Sequence, residues 1–519
     1  MSKVITAAEA ADLINDGDTV AVGAFGLSGW PEEIAAAVEA RFLATSHPAN
    51  LHVVQNCSTG DRRERGITRW GHEGMIKRWM GAHIGFSPGI VKLITENKIE
   101  AYVIPQGCMV NLWREIGAGR PGLITKVGLG TFVDPRIEGG KMNTATTEDI
   151  YKVVDFEGEE YMFYKSFPVN VALLRGTEID EKGNMTLSKD SGLTEQLAIA
   201  TATKNSGGIV IAQAETLAAA GTLHPKDVVV PGILVDYIVI ATDPRAQWQT
   251  EVTEFNPSFA GDVRVPLHAF PVMELGSDKV IARRAAKELT RDAVVNLGVG
   301  LASNVASVAS EEGVSDLMTL TTEIGVIGGV PAGGQDFGAA YNPEAMIVHN
   351  SMFDFYDGGG LDTTFLGLAE TDQHGNVNVS KFGRPMGTGG FVNITQATPK
   401  VVFTGTFTSG GLETEIRDGK LVITQEGRRR KFKDHVEQIT FSGDFATKKG
   451  TDVLYVTERC VFKLIDGKMT IIEIAPGIDL QTQILDLMDF TPVVSPDLQL
   501  MDPALFAETW GALRAQLTA

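Results

Sequence analysis

Thr177-Glu-Ile-Asp-Glu-Lys-Gly-Asn-Met-Thr-Leu-Ser-Lys189 returns later in the chain as Ala369-Glu-Thr-Asp-Gln-His-Gly-Asn-Val-Asn-Val-Ser-Lys381. Glu, Asp, Gly, Asn, Ser and Lys hold the same places in both stretches, 192 residues apart throughout. The apolar runs that follow, Gly208-Ile-Val-Ile-Ala212 and Lys400-Val-Val-Phe-Thr404, keep that spacing. One long repeat of this kind marks a duplicated domain, whereas a solenoid shows many short periods. Working outward, a second pair recurs 275 residues apart, with Val20 matching Val295.

The earlier member of that pair reads as a capped helix from Thr6 and Glu9 to about Asn15 and a strand Thr19–Gly23. A glycine loop and a helix Glu32–Phe42 behind Pro31 complete it. The later member reads as a helix Asp278–Leu289, a strand Ala293–Leu297, a loop Gly298–Ser303 and a helix Asn304–Glu312. The two spacings differ by 83 residues, so the first copy carries extra chain, placed within Asp61–Glu160.

Strands alternating with helices predict a mainly parallel sheet covered on both faces. The expected fold is therefore α/β: two similar open domains from an internal duplication, residues 1–265 and 266–519, joined near Thr253–Leu275. A β-rich, antiparallel extension is expected at the C-terminus. It contains a hairpin of Leu421–Gln425 with Arg428–Phe432 around Glu426-Gly427, and strands at Asp452–Val456 and Thr470–Ile474.

A chain of 519 residues exceeds a single core and suggests roughly two to four domains. Its 43% hydrophobic and 21% charged content is that of a soluble globular protein. A formal charge of −20 argues against a nucleic-acid partner, whose phosphates it repels. Small anions are not excluded, because the local field outweighs the net charge. Cys57, Cys108 and Cys460 lie far apart, and the nine histidines form no metal-binding spacing, so no disulfide framework or metal is expected. Met1–Glu9 has no apolar core of signal-peptide length, and the run Val228–Ala241 is broken by Pro231, Gly232 and Asp236. A cytoplasmic protein without a membrane segment is the expectation.

The chemistry is sought in Thr319–Gly338, where an apolar strand over 316–322 delivers Glu323 into five glycines, Gly325, Gly328, Gly329, Gly333 and Gly334. Such backbone suits close approach to a ligand, and ligands of open α/β sheets sit beyond the carboxyl ends of strands. An isolated acid there is more often an ordinary loop residue. The duplication shifts the balance, because the first copy offers Asn56 or Cys57 in that region and no carboxylate. An asymmetry between copies is what a catalytic residue leaves. Asn376 fails the same test, since Asn184 occupies its place in the other copy, and a Gly-Asn turn serving the fold accounts for both.

Two rival readings come from the residues. Gly298-Val-Gly300-Leu-Ala-Ser303 nearly matches a dinucleotide fingerprint with Glu323 as the ribose-binding acid, which keeps an NAD-dependent oxidoreductase open. Its third glycine is Ser303, and it does not account for the glycines after Glu323. The basic run Arg428–Lys433 reads as a charged hairpin edge before it reads as a phosphate site.

T-E-I-G-V-I-G-G (Thr322–Gly329), Y-D-G-G-G-L-D (Tyr356–Asp362), D-Q-H-G-N-V-N-V-S-K-F (Asp372–Phe382) and M-G-T-G-G-F (Met386–Phe391) resemble family I coenzyme A transferases. The similarity is to the acetate/propionate branch with fused alpha- and beta-subunit-like halves, and it spans nearly the whole chain. V-G-A-F-G (Val22–Gly26) and E-I-A-P-G-I-D-L (Glu473–Leu480) belong to it as well.

The resemblance implies that Glu323 is a covalent nucleophile, that Gly389 and Gly390 serve the oxyanion, and that Gly298, Gly300 and Gly405 bind CoA. Ile324 departs from the small residue many relatives have there, which narrows the expected pocket. Acyl-CoA and short-chain carboxylates of the acetate, propionate, butyrate or acetoacetate type are the implied partners. No cofactor is implied beyond CoA as substrate and product. A homo-oligomer is implied, with a tetramer one such form. An acyl-CoA hydrolase on the same scaffold and a non-enzymatic ligand-sensing module remain as alternatives. Glu323 is expected where the two halves meet.

Overall fold

The computed structural model describes residues 3–266 and 272–519. The expected join over Thr253–Leu275 includes residues 267–271, which lie outside the described residues.

The first sheet has seven strands: β1 (Thr19–Phe25), β2 (Leu51–Cys57), β3 (Ile76–Gly81), β4 (Glu100–Val103), β5 (Val171–Asp180), β6 (Ile209–Ala218) and β7 (Tyr237–Ile240). They run in the order β7-β6-β5-β1-β2-β3-β4, and every neighbouring pair is parallel. Val20 sits between Val53 and Val171 in register. The middle strands are buried on both faces, which is why they read as continuous apolar runs.

The second sheet is built on β8 (Val294–Leu297), β9 (Thr319–Thr321), β10 (Thr363–Gly367), β11 (Lys400–Thr404) and β12 (Asp452–Val456), in the parallel order β12-β11-β10-β8-β9. This repeats β7-β6-β5-β1-β2 strand for strand. Outside β9 the sheet closes with two short antiparallel strands, Val326–Ile327 and Ala345–Met346. Outside β12 it continues through β13 (Cys460–Ile465) and β14 (Lys468–Ile474), both antiparallel, to β15 (Val493–Leu500).

The duplicated motif folds the same way twice. Asp180 accepts the Asn184 backbone N–H at 2.9 Å and its side-chain amide at 2.9 Å. Asp372 does the same for Asn376 at 3.1 and 3.0 Å. The two asparagines even spend their carbonyl oxygens alike, Asn184 on the Gly232 N–H and Asn376 on the Gly443 N–H, both at 2.9 Å. The extra chain of the first half supplies β3, β4 and a three-stranded antiparallel layer of Gly122–Thr125, Tyr151–Phe156 and Glu159–Lys165.

Three expectations are corrected. The hairpin joins Glu413–Arg417 to Lys420–Gln425. Its turn is Asp418-Gly419, both in the left-handed region, as a two-residue hairpin turn matching the strand twist requires. Arg429–Arg430 pairs instead with Thr408–Ser409. Asp452–Val456 joins the parallel sheet, and antiparallel pairing begins only beyond it. The strand before Glu323 is short, because Ser315–Leu317 forms a 3-10 turn.

Each half has its own apolar core, one around Trp30, Trp79 and Trp113 and one around Phe365, Phe403 and Tyr455. Val392 of the second half packs into the first core and Val110 of the first half into the second. Burying such a side chain stabilises by about 1.5–3 kcal/mol, so the crossing valines favour contact between the halves. The polar bonds beside them do the same, among them the Gly107 N–H to the Asn393 side-chain Oδ1 at 3.0 Å.

Candidate active site

Glu323 follows β9 by two residues, at the carboxyl edge of the parallel sheet. A tight turn presents it: Thr322 N–H donates to the Val326 carbonyl at 2.9 Å and Gly325 N–H to the Thr322 carbonyl at 3.1 Å. Gly325 has φ +103°, and a Cβ there would stand 1.8 Å from the Ile347 carbonyl oxygen. Only glycine lets the turn press against Ile347, and that contact sends the chain straight back as Val326–Ile327.

Gly390 and the Gln106 side chain stand beside the Glu323 carboxylate, each a donor that favours its ionised form. Gly390 has room for no more than hydrogen, since a Cβ would meet the Glu323 carboxyl carbon at 2.9 Å. Burial pushes the carboxyl up to about 7, against the opposing pull of His349, Gln106 and Gly390. The residue as a whole keeps a partial opening to solvent. Beside it lies a narrow recess of about 20 Å³, lined by Phe25, Asn296, Gly298, Ser303 and Phe337, which is room for about one water.

The other candidates separate. Gly298 shares the recess with Glu323. Gly300 opens a 3-10 turn with φ +84° and is outside the recess lining. Gly405 follows β11, two strands along the same edge from β8, and a Cβ there would lie 2.8 Å from the Lys431 ammonium. Lys431 is buried, and burial lowers its pKa to about 8. Gly389 is not free to serve an oxyanion in this structure, because its N–H donates to the Ala82 carbonyl at 3.0 Å. Its neighbour Gly390 is the glycine of the pair that lies against the Glu323 carboxyl. Ile324 does not reach the recess; it is fully buried in a cluster with Phe25, Cys57 and Ala82, against Gly192.

Sequence reasoning missed Gln106, His349 and Glu195. Gln106 ends a strand-to-helix passage, Val103-Ile-Pro-Gln106, at the carboxyl end of β4, the same kind of place from which Glu323 was found. His349 and Glu195 stand at the starts of two other helices, and no spacing in the chain links them. Cys57 lies close by at the end of β2, and burial raises its thiol far above the range where it ionises. Among the described residues no cluster of His, Cys, Asp and Glu could hold a metal ion, and no helix is long and apolar enough to cross a membrane.

Comparison with known proteins agrees with this geometry. The coenzyme A transferase family model matches residues 4–241. The chain is 57% identical to caffeate CoA-transferase of Acetobacterium woodii over 519 residues, 99% of each chain. It is 44% identical to acetate CoA-transferase YdiF of Escherichia coli K12 over 510 residues, 97% of this chain and 95% of that one. The structure of the Escherichia coli O157:H7 acyl-CoA transferase YdiF, solved as a thioester complex with CoA, superposes with a TM-score of 0.91. That pair is 43% identical over 98% of this chain and 97% of that one. These relatives give no support to the hydrolase or NAD-dependent alternatives. With a duplicated fold, a strand-end glutamate and full-length relatives of one kind, the chain belongs to the coenzyme A transferase family.

Proposed function

We propose that the enzyme moves CoA between acyl-CoA and a free carboxylate through a γ-glutamyl-CoA thioester on Glu323. The single observation that carries this is the setting of Glu323: a half-enclosed carboxylate on a strand-end turn, held by the Gly390 N–H and Gln106. A relative solved as a thioester complex with CoA supports it.

The Glu323 carboxylate oxygen attacks the thioester carbonyl; the C–S bond breaks, giving a mixed anhydride and CoA thiolate. The thiolate then attacks the glutamyl carbonyl and the donor acid departs as carboxylate. A second carboxylate attacks the glutamyl thioester, thiolate leaves, and thiolate closes on the new acyl group as Glu323 departs. Each step exchanges one acyl bond for another, with no net proton or electron transfer. The Gly390 and Gln106 donors already face the glutamate oxygen, so the oxyanion formed on the glutamyl carbonyl finds them in place. Burial works in the same direction, since a carboxylate with its pKa near 7 is a stronger nucleophile than a solvated one.

Gly298 and Gly405 follow strands at the same edge of the sheet, Gly405 against Lys431, and with Gly300 they are the proposed seat of the CoA arm. The proposed acids are short-chain carboxylates, the class of acid in the name of the acetate CoA-transferase relative. A cytoplasmic homo-oligomer is part of the same proposal, with light scattering and cell fractionation as its measurements.

The test is incubation with acyl-CoA and no acceptor acid. A Glu323 peptide should gain the mass of CoA less water, and borohydride, which reduces a thioester but not a carboxylate, should inactivate only enzyme so treated. Full exchange activity in Glu323→Ala ends the reading.

A further inference from the structure

Glu195, His349, Gln106 and Glu323 form a chain of neighbours that crosses between the two halves three times. His349 Nδ1 lies 2.7 Å from a Glu195 carboxylate oxygen, and both side chains are fully enclosed. His349 Nε2 lies 2.9 Å from the Gln106 amide nitrogen. The Gln106 side chain in turn stands beside the Glu323 carboxylate as a donor that favours its ionised form. The other carboxylate oxygen of Glu195 and the carbonyl oxygen of Gln106 have no partner.

Proton placement follows from these contacts. A ring nitrogen 2.7 Å from a buried carboxylate must carry hydrogen, because a lone pair there would face a negative charge. The Asn56 amide also approaches Nδ1, at 3.4 Å, and is the weaker claim. The Gln106 amide nitrogen faces Nε2 at 2.9 Å, so Nε2 is the acceptor and takes one N–H of Gln106. That fixes which way round the carboxamide lies. Its second N–H points at Glu323 and its oxygen points away, to the partnerless position. Reversed, the amide would set a carbonyl against the carboxylate.

We infer that Glu195 and His349 are positioning residues: by fixing the imidazole tautomer they hold Gln106 with an N–H on the Glu323 oxygen. The inference rests on Glu323 being the nucleophile. The same N–H faces the glutamyl carbonyl once the thioester has formed, so orientation matters both in holding the carboxylate and in the attack on that carbonyl. The titratable groups facing the ring and Glu323 are Glu195, Cys57 and Tyr356, and burial keeps the thiol and the phenol neutral.

The experiment compares Glu195→Leu, Glu195→Gln, His349→Leu and the Glu195→Leu/His349→Leu double variant by kcat, KM, pH profile and the rate of Glu323 thioester formation. Loss of the acceptor in Glu195→Leu is expected to lower kcat about 10- to 100-fold, the scale of a misplaced reacting group. The KM for acyl-CoA is expected to stay within about threefold, since no substrate contact is removed. The acid limb of kcat/KM should rise by about one pH unit, because Glu323 loses a donor that favoured its ionised form. Glu195→Gln still offers an oxygen to Nδ1–H and should recover most of the loss, and the double variant should be no worse than either Leu variant.

An unshifted acid limb with unchanged kcat in folded Glu195→Leu overturns the proposal. Equal damage in Glu195→Gln overturns it too, because the charge would then be what acts. Unfolding of both Leu variants also overturns it, by showing a purely structural pair. Absence of any Glu323 thioester in the unaltered enzyme is a separate result, which removes the nucleophile itself.

Discussion

The carboxyl ends of β2 and β9 occupy the same place in the two copies of one sheet, yet they lead to different structures. β2 ends in Cys57, with Ser58 at φ +57°, and the sheet runs on outward through parallel β3 and β4. β9 ends before Glu323, turns at Gly325 and comes straight back as an antiparallel strand. The first copy thus spends its strand end on scaffold and on Gln106, which arrives after β4. The second copy spends its strand end on Glu323, the proposed nucleophile. Duplication supplied two equal platforms, and the cleft uses one from each side.

The largest effect expected from this comparison is at the carboxylate itself. Glu323→Ala should lower exchange by at least ~10⁴-fold, the order seen when a covalent nucleophile is removed. Cys57→Ala, in the matching place of the other copy, should stay within about threefold in a steady-state assay of acyl exchange. Comparable losses at both positions would mean that the halves share the chemistry.

Next is the turn. Gly325→Ala drives a methyl into the Ile347 carbonyl and holds an L-residue at φ +103°. A loss of about 4 kcal/mol or more in denaturant unfolding is expected, in the range reserved for severe core or backbone clashes. Ser58→Gly, at the matching strand end, relieves a strained φ but removes the buried hydroxyl's bond to His83 Nδ1 at 2.8 Å. It should cost less than Gly325→Ala, about 1–3 kcal/mol.

The repeated turns should respond alike. Asn184→Ala and Asn376→Ala each remove a bond to the Asp carboxylate and strand one glycine N–H. Each should cost about 1–3 kcal/mol with kcat/KM for acyl-CoA little changed. A selective loss of CoA affinity in Asn376→Ala would reassign that turn from the fold to the site.

The smallest expected effect is a pH dependence of stability. The Glu323 carboxyl, pushed up to about 7 from an ordinary 4.5, keeps its proton in the folded protein after the unfolded chain has lost it. Its contribution is present below pH 4.5 and is lost as the pH rises through 7. Glu323→Gln has no such loss, so its melting temperature should gain on the natural protein between those values and hold that lead at pH 8. Parallel melting curves of the two proteins across that window would show that the carboxyl is not raised.

The chain by itself determined the duplication, because identical turn chemistry at one spacing has a single economical cause: Asp180 and Asp372 must each cap a Gly-Asn turn. It also pointed to Glu323, since a carboxylate present in one copy and missing from the other is visible without coordinates. It misplaced the C-terminal hairpin at Glu426-Gly427, whereas the strands pair around Asp418-Gly419, a stronger two-residue turn signal. Only tertiary structure decided which donors stand beside Glu323. Gly389 and Gly390 are equivalent in sequence, but packing gives one amide to Ala82 and the other to Glu323. Gln106, His349 and Glu195 begin three different helices in two halves, and a hydrogen bond forms between such residues only when folding brings them within 3 Å, a distance no spacing along the chain encodes.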